Sequence, residues 1–451
     1  MYKSLSAPLV VQIELTELCP NSCIHCYNYW RHEEHSVKQF AQLTLAQIQR
    51  VMDELERTKV FLVVITGGEP MMNKPVMYEI LDRVENSDFM YATINSSLIG
   101  MTAKDAKRLK KYTRLTGVLT SLMGPNASIH DEIAKHPGAF SITVAGMQRL
   151  IEQNIPTSVN MVLSKFNQGY IMETAARAKD LGVKSFNVTR ATCPSNCSDF
   201  TDYALDVPEL RTYLQTLKEA GRRYDLPVGV LTVYPLCAIR ETGEYGLASG
   251  RTCSAGITVA VVSSRGEVRA CTHLEKVYGQ LLHEPFDTIW QRMDEWRDGS
   301  LIPTVCQSCK ALAICGGGCR AEAIVATHSL KAEDPLMCLE DVDYALQHFQ
   351  ESRQMLTPIN LPDRVVCNPI IRWRVEEFGV VCYLRKTCAG ILNADVAQEL
   401  LYSNASTPLN VVDLTERFST KVVDKLIWKG ILIPYVKEVS KSAEYDSTFS
   451  I

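Results

Sequence analysis

The chain has 451 residues, more than one ordinary domain uses, and length alone implies two to four units. Hydrophobic residues make up 46% and charged residues 22%, an ordinary globular balance, and the formal net charge of -4 lacks the basic excess expected of a binder of nucleic acid or anionic membrane. The first eight residues are too short and polar for a secretory signal, and no run reaches the ~18–20 apolar residues of a bilayer span, so a cytoplasmic location without membrane contact is expected.

Residues 9–190 alternate β-rich runs with amphipathic helical stretches. Strands are expected at 9–15, 60–66, 90–95, 117–121, 157–163 and 185–189, with helices near 45–57, 75–85, 103–111, 142–152 and 170–181. Thr44 and Thr102 stand where N-caps belong. Six strands alternating with helices imply an α/β fold, a partial (β/α)6 TIM barrel over 1–205 with its chemistry at the C-terminal strand ends. A full eight-stranded barrel is the rival, but the pattern stops after the sixth strand. A helical bridge follows over 206–249. Across 250–342 periodicity weakens, glycine and cysteine rise and apolar core residues thin out, as in a segment folded by metal. Regular structure returns from about 361. Residues 365–375 and 378–384 read as a hairpin, 396–402, 411–418 and 421–429 as short helices, and 430–435 as a closing strand. This makes 355–438 a small winged-helix α+β module, with 439–451 a disordered tail.

Sixteen cysteines depart from this ordinary composition. In a long cytosolic chain they favour metal or redox chemistry over disulfides, and most fall into tight groups. The first is Cys19-Pro-Asn-Ser-Cys23-Ile-His-Cys26-Tyr27, in the loop after the first strand. Three thiolates at this spacing leave a four-iron cube one ligand short, and the vacant iron can take an amino acid-like chelate. Zinc is the alternative, but it wants a fourth Cys or His, and His25 lies between two of the ligands.

The motif resembles the signature of the radical S-adenosylmethionine superfamily, with Tyr27 at its aromatic position, and Thr66-Gly67-Gly68-Glu69-Pro70 at the end of the second strand matches its G-G-E-P turn. The resemblance covers roughly residues 8–190. It implies that Gly67, Gly68, Glu69 and Pro70 receive the methionyl amino group of S-adenosylmethionine, and that Asn95, Ser96 and Ser121 face its ribose and carboxylate. Asn160, Lys165 and Arg190 on later strand ends are further candidates.

Cys253, Gly266 and Cys271, then Cys306-x2-Cys309-x5-Cys315-x3-Cys319 and Cys338, resemble the SPASM extension of radical enzymes that mature peptides and proteins. That likeness implies two auxiliary clusters, three 4Fe-4S clusters in all: an outer one on Cys306, Cys309, Cys315 and Cys338, and an inner one on Cys253, Cys271 and Cys319. Cys237 is expected to complete the inner set, which otherwise stays open. A pair of zinc ribbons is the alternative. Cys193 and Cys197 lie near the barrel mouth, as pocket lining, a hydrogen-atom donor or small buried hydrophobes, and Cys367, Cys382 and Cys388 read as packing residues.

The C-terminal pattern, with Leu392-Asn393 entering its first helix, resembles PqqD-like recognition modules, which add a leader peptide to an exposed sheet edge. A structural lid is the alternative. The combined reading is a peptide-modifying radical enzyme that cleaves S-adenosylmethionine to a 5′-deoxyadenosyl radical and draws electrons from a flavodoxin or ferredoxin. A radical dehydrogenase or maturase acting on a protein, haem precursor or metabolite is the runner-up, and an iron–sulfur electron carrier the non-enzymatic alternative.

Overall fold

A computed structural model of the chain describes residues 3–28, 30, 40–192, 203–242, 245–246, 248–249, 251–354, 361–403 and 406–435. Cys193, Cys197 and the tail expected at 439–451 lie outside the described residues. The chain divides into two compact units, one of Met1–Arg353 and another of Gln354–Phe449.

Seven strands of the first unit run parallel in chain order: β1 (Val10–Glu14), β2 (Leu62–Thr66), β3 (Tyr91–Asn95), β4 (Leu115–Ser121), β5 (Thr157–Leu163), β6 (Phe186–Arg190) and β7 (Val228–Val230). Leu62–Ile65 of β2 is an apolar, largely buried run, as a strand inside a parallel sheet needs. The first helix, Leu45–Arg57, starts at the Thr44 capping box and buries Ile48, Val51, Met52 and Leu55, one stripe at helical spacing. Thr102 caps Ala103–Leu109 in the same way.

The sheet does not stop at six strands. The three-residue β7, with Gly229 at its centre, was too short to read from the sequence. On the other side of β1, β8 (Val259–Val262) pairs in parallel, and β9 (Glu267–Arg269) and β10 (Val277–Gln280) continue antiparallel, giving ten strands. The 250–342 segment is therefore not a separate body. Nor is its core thin, because Phe286, Ile289, Trp290 and Met293 are fully buried in the same cluster as Val11 and Ile13. Weak periodicity there reflects short elements, not missing apolar surface.

A buried ion pair fastens this addition. Arg269 at the end of β9 donates to Glu14 at the end of β1, both fully buried, and also to the carbonyls of Thr272 (3.2 Å) and Leu274 (2.7 Å). Burial holds the Glu14 carboxyl above its ordinary range, against the pull of Arg269.

In the second unit, the expected 365–375 strand is broken into β11 (Arg364–Cys367) and β12 (Ile371–Glu376). β12 forms the hairpin with β13 (Gly379–Leu384), and β14 (Thr387–Leu392), not foreseen, completes a three-stranded antiparallel sheet. β15 (Leu409–Asn410) and β16 (Leu432–Pro434) flank β11 in a second small sheet. Helical segments at Ala394–Ala397, Gln398–Ser403, Val411–Phe418 and Thr420–Trp428 bury Leu400, Leu414, Val423 and Leu426 in this unit's own core. Cys367 and Cys382 are packing residues, but Cys388 is exposed.

Replacing Arg269 with Ala strands the Glu14 carboxyl and two carbonyls, and is expected to cost about 3–5 kcal/mol. Anaerobic denaturant unfolding measures this, and a loss under about 1 kcal/mol would leave the pair with no fastening role.

Candidate active site

The cysteine loop leaves β1 and is clamped by backbone on two sides. From the second strand's exit, the N–H groups of Gly68 and Glu69 donate to the carbonyls of Thr16 and Leu18, both at 2.7 Å. From the other side, the end of the helix Ala127–Ala134 offers its last carbonyls: Ser22 N–H donates to Ala134 O (3.0 Å) and Ile24 N–H to Ile133 O (3.1 Å). That helix was not foreseen in the sequence. Its N-cap, Asn126, was the available signal.

Gly67 and Gly68 are dictated by this docking. A Cβ on Gly67, whose φ is +123°, would lie 2.8 Å from Thr16 O, and one on Gly68 would overlap Leu18 O. Only bare backbone lets the turn approach the loop this closely. Side chains lock the register: Asn28 Nδ2 donates to Gly67 O (3.0 Å) and the Tyr27 hydroxyl pairs with Thr66 Oγ1 (3.2 Å). Neither contact was expected from the sequence.

Glu69 is fully buried, and both its oxygens are engaged. Oε1 accepts from Met71 N–H (2.9 Å) and Ser96 Oγ (2.6 Å), and Oε2 from Ser97 N–H (2.8 Å) and Ser97 Oγ (2.5 Å). Burial raises its pKa against these donors. Glu69 and Ser96 thus join the exits of β2 and β3, so they position the strand ends. Asn95 and Ser121 stand half-exposed at the ends of β3 and β4. Asn160 accepts from Thr189 (2.8 Å), and Lys165 lies 3.9 Å from Glu209.

Arg190, at the end of β6, is likewise committed. Its guanidinium pairs with Asp334 (2.8 Å) and Glu322 (3.2 Å) and donates to Val233 O (3.3 Å). Asp334 in turn accepts from the Cys319 N–H at 2.8 Å. The residue expected at the cofactor therefore ties the strand end to the second cysteine set, and nothing in the spacing flagged Asp334 or Glu322.

The donor chemistry suits iron–sulfur clusters. Cys19, Cys23 and Cys26 are half-buried thiols of one loop. Between them His25 is held neutral, its pKa pushed down to about 4 chiefly by burial and secondarily by His130. Among the described residues, the buried side-chain oxygens of Asn21 and Asn28 have no hydrogen-bond partner, and Asn28 lies beside the Gly67–Gly68 turn. In the second set, Cys253, Cys271 and Cys319 are mutual electrostatic neighbours. Burial pushes the first two up to about 11 and Cys319 up to about 12, so these thiols need a bound cation's field to ionise. His273, also unforeseen, sits between the sets: its Nδ1 is 3.7 Å from Cys271 Sγ and its ring 5.1 Å from that of Tyr27. Among the described residues no three His, Cys, Asp or Glu side chains gather tightly enough for a single metal ion.

Cys237 does not join the inner three. Cys338 N–H donates to its sulfur (3.4 Å), and its thiol neighbours are Cys315, Cys338 and Cys306. The expectation that it completes the inner set fails because the helix Leu236–Ile239 is pinned to Cys315, whose sulfur accepts the Leu236 N–H at 3.3 Å.

Gly68→Ala is expected to push the cysteine loop off the turn, costing about 1–3 kcal/mol and lowering the iron the N-terminal loop retains. Iron analysis with denaturant unfolding checks this, and wild-type values for both would contradict the docking argument.

The Radical SAM superfamily profile matches residues 13–178. The chain is 25% identical over 361 residues to the AdoMet-dependent heme synthase of Methanosarcina barkeri, covering 74% of this chain and 97% of that protein. It is 26% identical over 342 residues to the mycofactocin maturase of Mycobacterium tuberculosis, covering 74% and 83%. In fold it matches Streptococcus suis SuiB bound to precursor peptide SuiA, with TM-score 0.58 and 17% identity over 73% of this chain and 76% of that one. With the three-cysteine loop docked on its glycine turn at the mouth of a parallel sheet, residues 13–178 form a Radical SAM domain, and the proteins the chain is similar to include peptide maturases.

Proposed function

We propose that the chain is a cytoplasmic maturase that modifies a C–H position of a ribosomally made precursor peptide, by crosslink, thioether or a related functionalisation. One observation carries the reading: the three-thiol loop leaves β1, and Cys253 and Cys271 flank β8 and β9 of the same ten-stranded sheet, so one-electron chemistry and an auxiliary redox site share a frame. When bound, a 4Fe-4S cluster and S-adenosylmethionine supply a 5′-deoxyadenosyl radical able to take hydrogen from an unactivated carbon.

The protein's part is to hold and to orient. Cys19, Cys23 and Cys26 take three irons and leave one vacant. The Gly67–Pro70 turn and the free oxygen of Asn28 face the methionyl end of the cofactor, while Asn95 and Ser121 line the strand ends around it. The inner and outer cysteine groups hold two auxiliary 4Fe-4S clusters, three in all. A flavodoxin or ferredoxin is the expected reductant. The Gln354–Phe449 unit grips the leader as a PqqD-like module, since β12 and β14 are the outer strands of its three-stranded sheet and offer edges for strand addition.

A second reading, action on a haem precursor or other small substrate, is favoured by the likeness to the heme synthase over nearly all of that protein's length. It has no need of the C-terminal unit.

Anaerobic incubation with dithionite and S-adenosylmethionine is expected to release 5′-deoxyadenosine from the wild-type chain and none from Cys26→Ala; no product from the wild type would favour an electron carrier. Truncation before Gln354 is expected to weaken precursor-peptide binding by about tenfold or more, ~1.4 kcal/mol, with peptide-independent cofactor cleavage retained. Unaltered affinity on calorimetric titration would remove the leader role and favour the small-substrate reading.

A further inference from the structure

A group of charged side chains lies buried between the end of β6 and Cys319. The Asp334 side chain is fully buried, and each of its oxygens is used twice. Oδ2 accepts from Arg190 and from the Cys319 N–H, both at 2.8 Å, and Oδ1 accepts from the Leu336 N–H (3.0 Å) and from Arg190 (3.3 Å). Glu322 lies 3.2 Å from the same guanidinium and accepts from Thr192. Two carboxylates against one guanidinium leave a negative charge in excess beside a cysteine backbone.

The turn is shaped for this approach. Gly318 has a φ of +78°, and a Cβ there would lie 2.8 Å from Asp334 Cβ and 2.9 Å from Asp334 Oδ2, so bare backbone next to Cys319 admits the carboxylate. Cys319 is also the N-cap of the helix Arg320–Thr327. That helix packs Val325 on Ala191, just past β6, where Ile24 of the N-terminal cysteine loop also packs. The charged group therefore stands at the strand end that both cysteine sets approach.

We propose that Asp334, balanced by Arg190, is a positioning residue that lowers the reduction potential of the cluster held by Cys253, Cys271 and Cys319. The inference rests on the reading that these cysteines hold a 4Fe-4S cluster. An electron entering a cluster adds negative charge, so a fixed carboxylate one backbone amide away opposes its entry, and burial keeps salt from screening the effect. The hydrogen bond acts in the same direction, because the Cys319 amide is spent on the carboxylate and not on a cluster sulfur. Arg190 offsets part of this field from the strand end. The charged residues at β6 thus have a redox role in place of a cofactor contact.

The test is an anaerobic reductive titration of the reconstituted full-length chain followed by electron paramagnetic resonance, with the inner cluster identified as the signal lost in Cys319→Ala. Asp334→Asn is expected to keep wild-type iron and to favour reduction of that cluster about tenfold, a rise of ~59 mV for one electron, while the signal that responds to S-adenosylmethionine keeps its potential. Removing Arg190 as well, in Asp334→Asn/Arg190→Met, is expected to bring the potential back towards the wild-type value. A merely structural role leaves the double variant at least as displaced as the single one, and that result overturns the proposal. Glu322→Gln takes a charge from the same group without touching the Cys319 amide, so it decides the matter even if Asp334→Asn loses its cluster. A smaller rise is expected; no rise, or an unchanged or lowered potential in Asp334→Asn, overturns the proposal. Wild-type iron and signals in Cys319→Ala would instead refute the cluster reading itself, and the proposal with it.

Discussion

The contact of bare backbone between Gly67–Gly68 and the Thr16–Leu18 segment sets where everything else in the site can be. Two short hydrogen bonds cross it, and no side chain intervenes. It brings the loop that carries three thiols to the exit of β2, while Glu69 draws the exit of β3 to the same place. Preorganisation here comes from main chain and a buried carboxylate, which hold their positions with little conformational freedom. Polar side chains at the mouth of the sheet are then available for binding because others, Glu69 and Ser96 among them, have taken over support.

The second dependency is between metal and fold. The thiols of Cys237, Cys253, Cys271 and Cys319 are pushed up to between about 11 and about 12 by burial, so none is a thiolate near neutral pH without a cation beside it. The surroundings have packing of their own: β8 to β10 extend the main sheet, Glu14–Arg269 joins the ends of β1 and β9, Arg190–Asp334 ties the end of β6 towards Cys319, and Trp290 and Phe286 are buried in the core. The cysteines are therefore presented on a frame that already has its own core, and a cluster adds to it.

Much of the barrel was legible because its signals are local. The strand at 157–163 and the helix at 45–57 were readable to the residue from apolar periodicity and a threonine cap. β7 was not, since three residues with a central glycine carry no period, and β14 begins Thr-Cys-Ala-Gly, which does not announce a strand. The cysteine spacing pointed to two sets but not to membership: Cys237 lies 101 residues from the amide that contacts it, and Arg190 144 from Asp334. Such partners are chosen by the fold, and a linear pattern holds no record of them. The same holds for Glu69, whose place in the motif was readable while its engagement with Ser96 and Ser97 was not.

The proposed chemistry depends on Cys19, Cys23 and Cys26 leaving one iron of a cubane vacant for a sulfonium cofactor. Electron paramagnetic resonance of the dithionite-reduced chain, recorded before and after adding S-adenosylmethionine, addresses that directly. A shift in the g-values of one cluster, absent when Cys23 is replaced by Ala, is the predicted result. Signals that ignore the cofactor, or zinc in place of iron at this loop, would contradict it.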